Sequence, residues 1–497
     1  MSWITHGAIH PWLRRNVRVA VVPGLSMTAL LEGAVDRLLA RFRHRGDVVQ
    51  TDPDEKTDLL LTTAPFAEPI SWRQSLLLTA RRRFRLSRTP TVVTLVHATK
   101  REFRRLLDHF RRALARPEPD PADLTFPGLA PEAWRVLWEQ GRRGGPLLAL
   151  ERLLQARAKC LRILLFVGDD HPAVAYSFDL VGAYPCCRAT EPDPFYDDLV
   201  LRLVTAVSVE EVTHHTPVGP PIPAETWRAL TTPAAMAEAA RQLSQRDFFT
   251  EMVRIADLVH VPAVSDAVAE QYSEGCFATW DPQLGALVAT VTGSARPVDK
   301  RQISEDDLAI IVGVRPDRKG ALYRPVEGKR NDPPSSEAVE MFAMDESLPR
   351  VRRETPEGIQ EVPVARSKLH GHRGVVAYDP QYVEYVPMAL PYQCYPVSCG
   401  TGAQAEGIVE AFRRAKCLQN PEDPRPVAFT ILPGHGVFIV EKWVPGKAPF
   451  QVIWEFMDAG RLQIDPFVPQ GPLEYLPDPS GRMRVQTDDP LAWLEGG

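Results

Sequence analysis

A chain of 497 residues with 44% apolar and 24% charged side chains has the composition of a soluble globular protein, and its length suits two or three domains better than one. Its seven cysteines form no Cys-x-x-Cys pair and are odd in number, and no apolar run reaches membrane-spanning length, which excludes a disulfide scaffold and a bundle of membrane helices. The net charge of −5 hides an asymmetry, because residues 1–160 carry 27 Lys and Arg against 16 Asp and Glu, while the remainder carries 31 against 47.

The arginine-rich front comes without a recognisable nucleic-acid module, so it is expected to face acidic surface elsewhere in the chain or in a neighbouring subunit, not nucleic acid. The first residues lack the charged start and apolar core of a signal peptide, and the scattered cysteines fit a reducing cytoplasm. Lysine is scarce, with ten residues against 48 arginines.

In chain order, residues 17–23 (VRVAVVP) read as a short buried strand. Residues 27–43 carry apolar side chains at helical spacing. Residues 58–62 (DLLLT), 91–96 (TVVTLV) and 161–167 (LRILLFV) predict further strands, and 101–114 a basic amphipathic helix. Alternating strands and helices predict an α/β domain over residues 1–220, of unknown role. Gly24 stands alone after the first strand and makes no dinucleotide fingerprint. His97, His171, His214 and His215 read as surface or structural histidines.

Prolines in residues 217–223 (PVGPPIP) predict a stiff linker, placed at 221–233. Beyond it a second domain is predicted over 234–497. Helices are expected at 233–246, 247–258 and 402–416, and strands at 287–292, 308–314, 374–378, 427–432 and 437–440. Residues 348–367, rich in charge and proline, read as an exposed insertion.

Four residues in this second half carry chemistry. They are Glu337 in Pro-Ser-Ser-Glu, His370 and His372 in His-Gly-His, and His435 in Gly-His-Gly. Three imidazoles can hold a divalent metal and leave one position open, and a nearby carboxylate can move a proton. On a strand, His370 and His372 project from one face, so the pair can chelate one ion. Glycines flanking His435 permit a tight turn and a close backbone approach. Ser335 and Ser336 also suit the N-terminus of a helix beginning near Glu337.

Six segments occur in an order that resembles the class II aldolase/adducin family over residues 234–443. Gly275-Cys276-Phe277-Ala278-Thr279-Trp280 resembles its Gly-Asn-x-Ser-x-Arg, and Thr290-Val291-Thr292-Gly293-Ser294 its Thr-Pro-x-Gly turn. Ile303-Ser304-Glu305-Asp306-Asp307-Leu308 resembles its Leu-Thr-x-x-Asp-Leu, and Pro334-Ser335-Ser336-Glu337 its Pro-Ser-Ser-Glu. His370-Gly371-His372 resembles its His-Thr-His, and Pro433-Gly434-His435-Gly436-Val437 its Asn-His-Gly-Val. The resemblance implies an α/β/α domain around a central antiparallel sheet, with a divalent metal, usually zinc, on His370, His372 and His435. Glu337 would be the general acid/base. The activity implied is an aldolase-type lyase or epimerase, acting through an enediolate on a small sugar, sugar phosphate or sugar acid. An anionic group of that substrate would sit on Gly275, Thr292, Gly293, Ser335 and Ser336. A homo-oligomer, usually a cyclic tetramer, is also implied.

Three departures stand out. The family's asparagine, serine and arginine are Cys276, Ala278 and Trp280 here, so an altered substrate is expected. The alternative is a non-catalytic scaffold or binding protein that retains the metal site. The front 220 residues are not covered by the resemblance.

Overall fold

The computed structural model describes residues 14–22, 27–66, 90–120, 131–158, 160, 162–178, 183–185, 189, 191–209, 214–249, 275–292, 300, 303–355, 358–388, 402–432, 436–465, 474–477 and 483–486. The chain is mixed α/β and divides into two compact units. The first holds the described residues of Met1–Glu210, and the second those of Glu211–Met252 and Gln271–Thr487.

The first unit is built on a seven-stranded sheet of β1 (Arg18–Val21), β2 (Val48–Gln50), β3 (Leu59–Ala64), β4 (Thr91–Ala98), β5 (Ile163–Gly168), β6 (Pro172–Phe178) and β7 (Ala183–Pro185). The order is β2-β1-β3-β4-β5-β6-β7, parallel through β5 and antiparallel for the last two strands. Why these strands are apolar at nearly every position is seen in the two cores. Leu60, Val92, Val96 and Leu165 pack under α2 (Lys100–Leu114) and α3 (Pro131–Ala158), with Phe103, Leu107 and Leu150. Leu59, Leu61, Val93, Leu95, Leu164 and Phe166 point the other way, toward Leu31, Leu38 and Phe42 of α1 (Ala29–Arg45) and Leu199 and Leu203 of α4 (Pro192–Val209). A sheet covered on both faces needs no polar side, so alternation disappears from its sequence.

Local chemistry sets the helix ends. Thr28 caps α1 by accepting the Leu31 N–H, and Gly46 ends it at φ +94°. Thr99 and Glu102 form a reciprocal capping box on α2. His97 has partners on both sides of its ring. Its Nε2 lies 2.9 Å from the Gly168 carbonyl and its Nδ1 3.0 Å from the Thr28 hydroxyl, so it ties the ends of β4 and β5 to the start of α1.

The second unit contains β8 (Thr216–Pro217), β9 (Cys276–Asp281), β10 (Ala286–Thr290), β11 (Leu308–Val314), β12 (Ala321–Arg324), the hairpin β13 (Arg350–Thr355) and β14 (Gly358–Pro363), then β15 (Ala365–Gly371), β16 (Gly374–Tyr378), β17 (Val383–Tyr385), β18 (Val427–Leu432) and β19 (Gly436–Lys442). Nine of these make one sheet in the order β17-β18-β19-β15-β9-β10-β11-β12-β8. It is antiparallel except at its two edges, where β17 runs parallel to β18 and β8 to β12. A smaller sheet joins β16 to β20 (Leu462–Asp465), β22 (Met483–Gln486) and β21 (Glu474–Pro477). The helices are α5 (Ala224–Ala229), α6 (Thr232–Gln245), α7 (Ala338–Ser347), α8 (Gly402–Arg413), α9 (Lys416–Gln419) and α10 (Gln451–Asp458).

The proline-rich stretch is docked along the second unit. Pro217 sits on edge strand β8 and Ile222 bridges Val326, an edge being where a sheet tolerates proline. The expected exposed insertion is a hairpin in which Glu354, Gly358 and Ile359 (77%) are exposed, but its last residues turn inward: Val362, Val364, Ala365 and Ser367 are buried. Of the helix expected at 247–258, Asp247 adopts φ +59° and Phe248 and Phe249 enter the core, while residues 250–258 lie outside the described ones. Among the described residues, no helix is long and apolar enough to cross a membrane.

Of the ten lysines, Lys300, Lys368 and Lys442 are buried. Lys368 on β15 pairs with Asp345 of α7, and its ammonium also donates to the Ala365 carbonyl at 3.1 Å. Burial pushes the lysine's affinity for its proton down and lifts the Asp345 carboxyl to about 6, against the pull of the pairing. Removing one partner strands the other charge. Lys368→Met is therefore expected to cost about 3–5 kcal/mol in denaturant unfolding, and Lys368→Met with Asp345→Leu to recover most of that loss.

Candidate active site

The site is assembled where β9, β15 and β19 lie side by side. His370 pairs across the ladder with Cys276 on one flank and Phe438 on the other, so these three side chains share one face. Helices α7 and α8 cover that face, since Asp345 of α7 meets Lys368 and Phe412 of α8 packs on Phe438. Phe438 also stacks on the His370 ring at 6.1 Å.

The His370 ring is wholly buried, and its Nδ1 lies 3.0 Å from the Val437 carbonyl. A carbonyl only accepts, so Nδ1 carries the hydrogen and Nε2 the lone pair. Burial is the main reason the imidazole is pushed down to about 4, with the Lys300 ammonium adding to the fall and the Val437 bond opposing it. His370 is thus a neutral ring of fixed tautomer at neutral pH. His372, just past the end of β15, places its ring centroid 5.1 Å from that of His370.

Three glycines make this packing possible. Gly275 (φ +72°) precedes β9, and a Cβ there would fall 2.5 Å from the His370 carbonyl oxygen. A Cβ on Gly371 would meet the Phe248 ring at 2.4 Å. On Gly436 (φ +143°) it would lie 2.1 Å from the Gly371 carbonyl oxygen and 2.7 Å from the His372 Cα. Gly436 therefore brings the start of β19 against the His-Gly-His segment. His435, the neighbour of Gly436, and Gly293 lie outside the described residues.

Glu337 occupies the residue before α7, and its carboxylate lies beside the Cys276 thiol. Burial first, and then that carboxylate, push the thiol well above its ordinary range, so Cys276 stays protonated and is no nucleophile. The expected anion-holding segments are partly zipped together. Ser335 N–H donates to the Thr290 carbonyl at 2.9 Å, Thr292 N–H to the Pro333 carbonyl at 2.9 Å, and the Ser335 hydroxyl to the Val291 carbonyl at 3.2 Å. The Ser335 hydroxyl therefore joins two loops and does not cap α7, which starts with no side-chain cap. Ser336 is half-buried next to it.

Cys276, Ala278 and Trp280 are buried, and Arg350 stacks over the Trp280 ring at 5.3 Å. They pack as core and offer no charge to a substrate. One site group went unread in the sequence. Lys300 is buried, with its ammonium 5.8 Å from the Phe249 ring centroid, and its charge acts on both Cys276 and His370. His215, read as a surface or structural histidine, accepts the Ala321 N–H on its Nδ1 at 3.0 Å. The only sequence signal for Lys300 is the rarity of lysine in this chain.

Among the described residues, no three His, Cys, Asp or Glu side chains form a metal-holding group. The two that are described fit one. Two imidazoles bound to a single tetrahedral zinc at about 2.0–2.1 Å have ring centroids roughly 5 Å apart, which is the separation of His370 and His372. A ligating histidine ordinarily donates its other nitrogen to a carbonyl, as His370 does to Val437. No family model matches the chain, and no curated protein matches it. The functional reading accordingly stands on the six segments and on this geometry.

Proposed function

We propose that the second unit is a divalent-metal-dependent lyase or epimerase of the class II aldolase type, acting on a small polyhydroxylated carbonyl compound. The observation that carries the reading is the His370–His372 pair, 5.1 Å apart, with His370 locked onto Val437 by the nitrogen a metal would not use. His370 and His372 would hold the ion together with His435. When bound, the ion, most simply Zn²⁺, polarises the substrate's carbonyl oxygen and so acidifies the neighbouring carbon.

The remaining work falls to the chain. In epimerisation Glu337 takes the proton from that carbon and a proton returns to the opposite face; in cleavage the β-hydroxyl gives up its proton as the carbon–carbon bond breaks to form a second carbonyl, and Glu337 delivers a proton to the carbon left behind. Burial of Cys276 and Phe438 against the site keeps water from competing. The Lys300 ammonium supplies fixed positive charge that favours an anionic substrate, such as a sugar acid or sugar phosphate. Gly275, Thr292 and Ser336 offer backbone and hydroxyl donors to the same anion, with Gly293 alongside in sequence. The buried, uncharged Cys276-to-Trp280 strand favours one second reading, a protein that binds its ligand without turning it over.

Purified protein should carry roughly one transition-metal ion per chain. It should also wash solvent deuterium into the carbon next to the carbonyl of a sugar acid or sugar phosphate. Metal without exchange across such a panel would leave the binding reading, and protein that cannot be loaded with metal would end both.

A further inference from the structure

Helix α6 ends on a residue its backbone does not favour. Phe248 N–H donates to the Leu243 carbonyl at 3.0 Å and Asp247 N–H to the Ser244 carbonyl at 2.9 Å, the paired bonds of a Schellman motif. Asp247 holds the left-handed position of that motif, at φ +59°. Glycine is the usual residue there, because a Cβ costs energy at such a φ. The reason for an aspartate lies in its side chain. Arg373 Nη2 donates to Asp247 Oδ2 at 2.6 Å, across 126 residues of chain. The arginine side chain is 6% exposed and the aspartate side chain 67%, so a buried cation is tied to a carboxylate at the surface.

Both partners adjoin the histidine segment. Arg373 follows His372 directly. Phe248 follows Asp247, and its ring fills the space a Cβ on Gly371 would need, while Phe249 packs on Phe277 of β9 with ring centroids 5.5 Å apart. The two histidines are not held alike. His370 sits inside the β15–β19 ladder and bonds to Val437. That ladder ends at Gly371, and β16 begins only at Gly374, so His372 and Arg373 span the gap. The start of β19 confines the His372 backbone, since a Cβ on Gly436 would lie 2.7 Å from its Cα. Arg373 ties the next residue to the end of α6.

We propose that Asp247 and Arg373 are positioning residues for His372, their ion pair fixing the stretch between β15 and β16 so that the His372 ring meets the same cation as His370. The proposal rests on the metal site proposed above. Metal–nitrogen distances tolerate a spread of only about 0.2 Å, so a ligand standing outside a strand needs such an anchor.

Co²⁺ titrated into the metal-stripped full chain tests this without turnover. Asp247→Gly removes the carboxylate and suits the left-handed backbone, so a loss cannot be laid to strain there. It is expected to raise the Co²⁺ dissociation constant about 10- to 100-fold, the usual weight of residues that orient metal ligands. Asp247→Asn also tolerates this φ and keeps an acceptor oxygen for Arg373, so it should recover much of the affinity. Arg373→Met fills the buried volume but donates nothing, and should weaken Co²⁺ binding as Asp247→Gly does. The double variant should bind no more weakly than either single one, because both remove the same contact.

An ion pair that serves stability alone would lower the unfolding midpoint of the metal-stripped protein and leave the dissociation constant where it was. Wild-type Co²⁺ affinity in Asp247→Gly and Arg373→Met therefore overturns the proposal and leaves the metal reading standing. Losses that add in the double variant overturn it as well. A wild type that binds no Co²⁺ overturns the metal site, and the positioning role with it.

Discussion

A Glu337→Gln protein should keep its metal and lose deuterium exchange at the carbon beside a substrate carbonyl by about 10²–10⁴-fold, the usual weight of a positioned acid/base. Glutamine matches glutamate in size, so the packing at the start of α7 and against Cys276 need not change. What disappears is an oxygen able to hold a proton between its removal and its return. Substrate affinity should change far less than turnover, because the anion-holding donors lie on other residues. Exchange measured by NMR at saturating substrate is the direct check. An unaltered rate would remove Glu337 from the mechanism.

Replacing His370 and His372 together by alanine should take bound metal from roughly one ion per chain to almost none. It should also abolish exchange. Elemental analysis of the purified variant reads the first effect. The substitution has a structural cost as well, since truncating His370 leaves the buried Val437 carbonyl without its donor, worth about 1–3 kcal/mol. Metal-stripped wild type is therefore the proper reference for stability. The first unit should be untouched, because both of its cores are made from its own strands and helices. If the double variant still holds the ion, the imidazole pair is not the site.

Which parts of this were legible in the sequence follows from range. Runs such as Leu59-Leu60-Leu61 and Ile163-Leu164-Leu165-Phe166 announce strands because each residue answers to one of two covering layers. The strands Leu308–Val314, Gly374–Tyr378 and Val427–Leu432 fall where the apolar runs put them. The His370–His372 proximity follows from the two-residue repeat of a strand. Distant pairings do not announce themselves. His215 finds the partner of its ring, the Ala321 N–H, 106 residues away, and nothing near it in the chain marks this. Phe248 and Phe249 fit an amphipathic helix by spacing, yet the reversal at Asp247 sends them under Gly371 and against Phe277. Pro217 reads as a spacer because proline breaks interior strands, and an edge strand escapes that rule.

The close fit at Gly275, Gly371 and Gly436 has a consequence for descent. Each glycine is bare because a neighbour's backbone or ring already fills the space, so no single substitution at any of the three is neutral while the others persist. Gly371 answers to Phe248, and Gly436 answers to Gly371 and His372. These positions must therefore be inherited as a set. A lineage that abandons the chemistry would be recognised by the decay of all of them together, glycines and phenylalanine included, and not by the loss of the histidines alone.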